Sequence, residues 1–291
     1  MLTDFTETQR KLVIIDYNNM MYRNLYVAFK TDPLDEKFVF WKYQMVNSLF
    51  WVLKNHLPDE VVVAADIGSS WRKQRIWDGY KAKRNSNRES SPIDFEKFFA
   101  VEGEFWNQIS SSFANWKWLR LNGTEADDII ATVTKNEPNK EIICISTDKD
   151  FQQLYRRKNF RQYNAVKRDW MDCVNPDIAL QIKVLTGDSS DNIPPVKRGV
   201  GIKTAQKMIN GGTVDLFLSD PIINENYVRN KALIDMDMIP EDIQQGIMEN
   251  YNLASGNFDG RGAFKFLTEN TPNLIDNAQE FFSMAKRCTK V

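Results

Sequence analysis

Residues 11–16, KLVIID, form a short apolar run ending on an acid, and the cadence returns as VVVAAD at 61–66 and IICISTD at 142–148. Runs of this length, rich in Val and Ile and apolar throughout, predict strands buried on both faces. Between the first two runs, Trp41, Met45, Leu49, Val52 and Leu53 recur at helical spacing; between the next two, Ile129, Ile130 and Val133 do the same. Strand alternating with helix predicts an α/β fold: a mostly parallel central sheet with helices on both faces. Such sheets bind ligands beyond the carboxyl ends of their strands, which is where Asp16, Asp66 and Asp148 fall.

Residues 71–105 interrupt the alternation with a basic stretch and then an aromatic run through Phe95, Phe98, Phe99, Phe105 and Trp106, predicting an inserted pair of helices. Trp71, Trp77 and Tyr80 suit either stacking on unpaired bases or packing between those helices. After about residue 175 the strand-like runs stop. The expected organisation is therefore a catalytic α/β domain over 1–180 and a helical region over 181–291.

The 291 residues include three cysteines and one histidine, His56, too few and too scattered for a zinc cluster or a Ser-His-Asp centre. No apolar stretch is long enough to span a membrane, and the N-terminus has no basic-then-apolar leader, so a cytoplasmic, membrane-free monomer is expected. Chemistry must come from carboxylates, amines, guanidinium groups and hydroxyls.

Lys and Arg total 38 against 39 Asp and Glu, yet the charges are segregated. Bases gather at Arg72–Arg88, at Arg156–Arg168, and at Lys197, Arg198, Lys203 and Lys207. Acids gather at Asp16, at Asp66, at Glu125, Asp127 and Asp128, at Asp148 and Asp150, and at Asp188 and Asp191. A basic periphery around an acidic centre suits a polyanion held over metal ions. A single acidic triplet arises about once by chance in such a composition. Each group also has a plain structural reading: Glu125, Asp127 and Asp128 can complement a helix dipole behind Thr124, Asp148 and Asp150 can cap a helix, and the others can sit in turns. The informative feature is the conjunction. If folding gathers these acids, each pair about 4 Å apart repels by about 4 kcal/mol at an effective dielectric near 20. Cations must then offset them, and all-oxygen donors favour a pair of Mg²⁺ ions, with Mn²⁺ as substitute.

Seven blocks carry a resemblance: LVIIDYNN from Leu12, the Asp66–Arg72 block, YKAKR from Tyr80, GTEADDIIA from Gly123, STDKDFQQL from Ser146, LTGDSSDNIPPVK from Leu185 and NKALIDMDMIP from Asn230. In this order they resemble the flap endonuclease and 5′-nuclease family, closest to its bacteriophage ribonuclease H branch. The resemblance implies a PIN-like nuclease fold and a 5′→3′ exonuclease and 5′-flap endonuclease that removes RNA primers and adjoining DNA. It implies a first metal group of Asp16, Asp66, Glu125 and Asp127, with Asp128 beside them, and a second of Asp148, Asp150, Asp188 and Asp191. The 71–105 insertion would be a helical arch whose Lys81, Lys83 and Arg84, with Arg72, steer the scissile phosphate. Lys197, Arg198, Gly199, Gly201, Lys203, Thr204 and Lys207 would belong to a helix-turn-helix variant gripping the duplex backbone. Pro195, in place of the usual first glycine, and the extra Arg198 imply a different path for that turn, and Lys73 lacks the fork of the arginine usual there. The implied partners are DNA and RNA–DNA duplexes with 5′ ends or flaps, a sliding clamp docked by residues 1–8, and a single-stranded-DNA-binding protein.

Two other readings compete. A catalytically silent DNA-structure binder would keep the scaffold and lose cleavage. A haloacid-dehalogenase-type phosphatase shares D-x-D and G-D-x-x-D elements but needs D-x-D after its first strand, where this chain has Asp16-Tyr17-Asn18.

Overall fold

The computed structural model describes residues 9–31, 37–84, 88, 90–254 and 256–288. Six strands form one sheet: β1 (Lys11–Asp16), β2 (Glu60–Ala64), β3 (Lys117–Leu119), β4 (Glu141–Ile145), β5 (Phe160–Asn164) and β6 (Asp169–Trp170). Their order is β3-β2-β1-β4-β5-β6, all parallel except the β5–β6 hairpin. The order reverses between β1 and β4, which makes the carboxyl ends of those two strands the expected ligand position. Register places Ile15 against both Val63 and Ile145, so Asp16 leaves the sheet level with the ends of β2 and β4.

The apolar runs are buried on both sides, as their composition requires. Val13, Ile15, Val61, Val63, Ile143 and Ile145 face one core; Leu12, Ile14, Val62, Ala64, Ile142 and Cys144 face the other. The first core is covered by α1 (Tyr17–Thr31), α2 (Lys37–His56) and α4 (Phe95–Ser112). The second is covered by α5 (Ala126–Asn136) and by the 3₁₀ helix Lys149–Arg156. The short helix α3 (Trp71–Arg75) starts behind the cap Ser70 and buries Trp71 in the second core.

This corrects the expected insertion. Phe98, Phe105, Trp106 and Ile109 of α4 lie in the main core against Trp41 and Tyr17, so the aromatic helix is part of the α/β core. The stretch left for the expected insertion is the one between α3 and α4. Residues 85–87 and 89 of the proposed arch lie outside the described residues, as do residues 1–8, to which the clamp contact was assigned.

The helical C-terminal region also divides differently from the expected boundary at 180/181. Helices α6 (Pro176–Thr186), α7 (Ile202–Asn210), α8 (Val214–Phe217) and α9 (Pro221–Ile234) build small cores of their own around Leu185, Val196, Val200, Ala205 and Ile223, and around Tyr80, Ile193 and Leu233. Beyond them the chain returns to the sheet. Ile247 and Tyr251 of α10 (Glu241–Leu253) join the second core. Phe266 of α11 (Gly260–Asn270) and Phe281 of α12 (Ala278–Arg287) join the first. Residues 176–234 are the stretch whose apolar side chains pack outside the two sheet cores, although α6 also packs on the 3₁₀ helix Lys149–Arg156.

Candidate active site

Each acid is delivered by a different element to the carboxyl-end rim of the sheet. Asp16 ends β1; its carboxylate accepts hydrogen bonds from the Asn19 backbone N–H (3.0 Å) and the Ser146 hydroxyl (2.7 Å). Asp66, two residues past β2, accepts the Ala126 N–H at 2.7 Å and is thereby tied to the start of α5. Asp148 caps the 3₁₀ helix by accepting the Asp150 N–H at 2.9 Å. Gly187 makes the next step possible: its φ of 70° and the Ile193 carbonyl oxygen only 2.3 Å from where a Cβ would stand leave room for no other residue. The turn it permits pairs Asp188 with Ile193 and holds Asp188 and Asp191 toward the rim.

The carboxylates perturb one another. Burial, reinforced by the charges of Asp66 and Asp148, pushes Asp16 up to about 7 despite its two hydrogen bonds. Burial and then Asp148, Asp16 and Glu125 raise Asp127 well above the carboxylate range, against the pull of Lys81. Asp66 is raised by burial too. Burial also lifts Asp150 to about 6, although Lys183 bridges it to Asp188, whose own Nζ contact is 2.8 Å. Asp188 falls to about 2 because Lys183 and Ser190 outweigh its burial. Lys183 in turn is held protonated above the usual lysine range by these two acids, burial notwithstanding.

Asp127, Asp150, Asp188 and Asp191 share one narrow recess with Lys183 and Arg72. Asp127 also feels the charges of Asp148 and Asp16, which ties this recess to the acids at the ends of β1 and β4.

Glu125 has a different setting. Its Oε2 accepts from Ser70 Oγ (2.9 Å), Arg72 Nη1 (2.9 Å) and Tyr80 Oη (3.1 Å), while Oε1 pairs with Lys81. Burial would raise its pKa, but Lys81 and then Arg72 bring it to about 2. Asp128 turns away from the rim: fully buried, it accepts the Trp71 indole N–H (3.1 Å) and the Glu125 N–H (2.9 Å) and pairs with Arg72 at 2.7 Å. Its expected place beside the first metal group is thus corrected to a capping and charge-pairing one.

Arg72 is corrected likewise. It is 3 % exposed, locked between Glu125 and Asp128, donates Nε to the Leu233 carbonyl at 2.9 Å and stacks on Trp71, so it positions acids rather than facing solvent where a phosphate would arrive. Trp71 and Tyr80 are buried, and Trp77 is half-buried against the Tyr80 core with Arg229 over its ring. Lys81 and Arg84 do face a cleft of about 640 Å³, together with Tyr22, Asp66, Arg88 and Glu125. Arg84 pairs with Asp191 at 2.9 Å. Lys83 is exposed and is absent from the cleft lining.

The proposed duplex-gripping residues Lys197, Arg198, Gly199, Gly201, Lys203, Thr204 and Lys207 are all exposed, on one continuous turn and the start of α7. Val196, Val200 and Ala205 anchor this segment from beneath. Gly201 caps α7 without a side chain, so the first backbone N–H groups of that helix point outward beside lysines.

Tyr80 as a carboxylate donor, Ser70, Ser146 and Lys183 were not anticipated. Lys183 precedes Asp188 by five residues, but nothing in local spacing separates it from any other helix lysine.

The acids fit hard divalent cations. Every donor is oxygen, and among the described residues Asp16 and Asp127 have no lysine or arginine bonded to them although each is surrounded by other carboxylates. As they stand, no three acidic, cysteine or histidine side chains among the described residues are arranged to hold an ion; the ammonium groups of Lys81 and Lys183 occupy part of the rim instead.

A family model for the 5′-3′ exonuclease N-terminal, resolvase-like domain matches residues 11–181. The chain is 28% identical over 224 residues to a 5′-3′ exonuclease of Mycoplasmopsis pulmonis, covering 72% of this chain and 69% of that one. It is 27% identical over 216 residues to the ribonuclease H of Enterobacteria phage T4, covering 66% and 70%. Against the thermostable DNA polymerase I of Thermus aquaticus, the match of 27% identity spans 79% of this chain but only 28% of the polymerase. Among solved structures, a bacteriophage T5 flap endonuclease complexed with DNA and metal ions superposes with a TM-score of 0.64 at 20% identity, over 84% of this chain and 99% of that one. At that identity the likeness establishes the shared fold.

Proposed function

The chain belongs to the 5′-3′ exonuclease family through its N-terminal resolvase-like domain, and on that premise we propose that it is a divalent-metal-dependent nuclease cutting phosphodiester bonds from 5′ ends and at 5′ flaps. Its substrates are DNA and RNA–DNA duplexes, and its task is removal of RNA primers with adjoining DNA during replication. The observation that carries this reading is the convergence of Asp16, Asp66, Asp127, Asp148, Asp150 and Asp188 on one rim beside a cleft bearing Lys81 and Arg84.

Two magnesium ions, or manganese in their place, bound by Asp16, Asp66, Glu125 and Asp127 and by Asp148, Asp150, Asp188 and Asp191, would supply Lewis acidity for water attack and leaving-group departure. The protein supplies the rest. Ser146 and the Asn19 N–H fix the rotamer of Asp16, and the Ala126 N–H fixes that of Asp66. Arg72 helps keep Glu125 ionised and holds Glu125 and Asp128 in place beneath the rim, although burial still raises Asp128 above its ordinary value. Lys81 and Arg84 present positive charge to the phosphate entering the cleft. The α7 turn grips the duplex through phosphates, independent of sequence. Docking of residues 1–8 on a sliding clamp, and cooperation with a single-stranded-DNA-binding protein, belong to the same proposal.

The test uses forked duplexes labelled at either end, with and without Mg²⁺. Asp127→Asn and Asp150→Asn should abolish metal-dependent cleavage while duplex binding survives; full activity in either variant refutes the reading. Binding without cleavage by the unaltered protein would select the silent binder.

A further inference from the structure

The basic run Arg156–Arg168 has two fates in the structure. Arg156 and Arg157 are consumed by ion pairs with Asp235 and Asp237, and Arg161 lies over the Trp170 ring at 3.7 Å. Arg168 is instead exposed at the β5–β6 turn, where its φ is 55°, with no acidic partner among the described residues.

It meets a second such group. Arg23, on the second turn of α1, is half-buried; among the described residues its guanidinium bonds only to neutral oxygens, of Ser48 at 3.4 Å and Asn24 at 3.5 Å. Burial without a carboxylate lowers its pKa. Asn24 is itself buried and tied to Ser48 at 3.2 Å, so the site is held by a fixed polar network. Arg23 and Arg168 line a cleft of about 290 Å³ with Gln44, Asn47, Ser48 and Trp51, and among the described residues no carboxylate lines it. Two guanidinium groups, amide donors and a flat indole, with no counter-charge, match a phosphate carrying a base. The cleft adjoins the acidic rim in the chain: its Met20 follows Asn19, which bonds Thr147 at 2.9 Å, and its Ala165 directly follows β5. The arch cleft lies toward β2, and this one toward β5.

We propose that this cleft is a second nucleic-acid subsite, taking one nucleotide of a single strand with Arg23 and Arg168 on its phosphate and Trp51 against its base. The choice of a strand over a free nucleotide rests on the nuclease reading. The site lets an unpaired segment continue past the catalytic rim on the side opposite the arch, a contact independent of the α7 duplex grip.

The test is binding of 3′-fluorescein-labelled octathymidylate, followed by anisotropy in EDTA so that cleavage plays no part. Arg168→Asn, tolerated at positive φ on an exposed turn, and Arg23→Gln should each weaken binding at least about fivefold and lower the slope of log affinity against log salt by about 0.7. Blunt-duplex binding should stay unchanged. Arg168→Asn alone decides if Arg23→Gln does not fold. Retention of wild-type affinity and slope overturns the subsite, and inorganic phosphate or thymidine monophosphate competing as well as unlabelled octathymidylate overturns the assignment to a strand. Failure of the nuclease reading would appear separately, as absence of cleavage with this binding intact.

Discussion

Removing the Arg72 guanidinium while keeping its stem, as in Arg72→Met, should destabilise the fold by about 3–5 kcal/mol. The magnitude follows from the surroundings. Arg72 is the shared counter-ion of Glu125 at 2.9 Å and Asp128 at 2.7 Å, and all three side chains are at most 8 % exposed. Each attraction is worth about 4 kcal/mol at an effective dielectric near 20, and desolvating each ion costs several kcal/mol in return. The intact triad therefore contributes little net stability, whereas its truncation strands two buried carboxylates and leaves the Leu233 carbonyl without its 2.9 Å donor. Stability is read from urea unfolding at pH 7. Neutralising an acid as well, in Arg72→Met with Asp128→Asn, should recover about 1–3 kcal/mol of the loss, because the stranded charge is gone. Acid dependence gives a second check. Glu125 is lowered in the folded state to about 2, so its contribution is present above its unfolded value near 4.5 and disappears as pH falls through 2; Arg72→Met should shrink that acid-dependent term. An Arg72→Met variant within about 0.5 kcal/mol of wild type, or a double variant no more stable than the single one, would refute the claim that Arg72 is a buried charge anchor.

The position of α4 is tested by Phe105→Ala, which should cost about 3–5 kcal/mol because the ring is fully buried against Trp41 and Phe266; a cost below 1 kcal/mol would return this helix to the arch. His56 is buried among Trp51, Tyr163 and Trp170, and burial, aided by Lys11 and Arg161, lowers its pKa to about 4. Its neutral-state contribution is complete above about pH 6.5 and fades as pH falls to 4, so the stability difference between wild type and His56→Gln should shrink by about 2 kcal/mol over that interval; a pH-independent difference would contradict it. Lys203→Ala and Lys207→Ala should each lower the salt slope of blunt-duplex binding by about 1, equally for duplexes of different sequence; unchanged slopes would remove the α7 turn from the duplex interface.

Much of this protein is legible in its sequence because the signals are local. An apolar run of five or six residues ending on an acid states both that a strand is buried on two faces and that its carboxyl end carries a charge, and KLVIID, VVVAAD and IICISTD say so directly. The three remaining strands escaped: β3 is only three residues long, β6 two, and β5 (FRQYN) alternates polar groups that the fold buries, Gln162 being fully enclosed and donating to the Ser146 and Asp148 carbonyls. The basic turn at Lys197–Lys207 was equally readable, since glycines and lysines around a helix start require no distant partner.

What tertiary structure alone decided is the division of labour among like residues. Spacing cannot distinguish Asp127 from Asp128, yet successive positions at the start of α5 point about 100° apart, which sends one to the acidic rim and the other to Arg72 and Trp71. Nor can composition tell that Arg72 faces inward while Arg84 faces the cleft, or that α10, α11 and α12 return to the sheet cores while 176–234 packs outside them. Composition and periodicity specify which groups a segment carries and whether it buries a face. Which charges come to share a dielectric, and so which are neutralised by a neighbour and which are left for a cation, depends on distances between segments far apart in the chain.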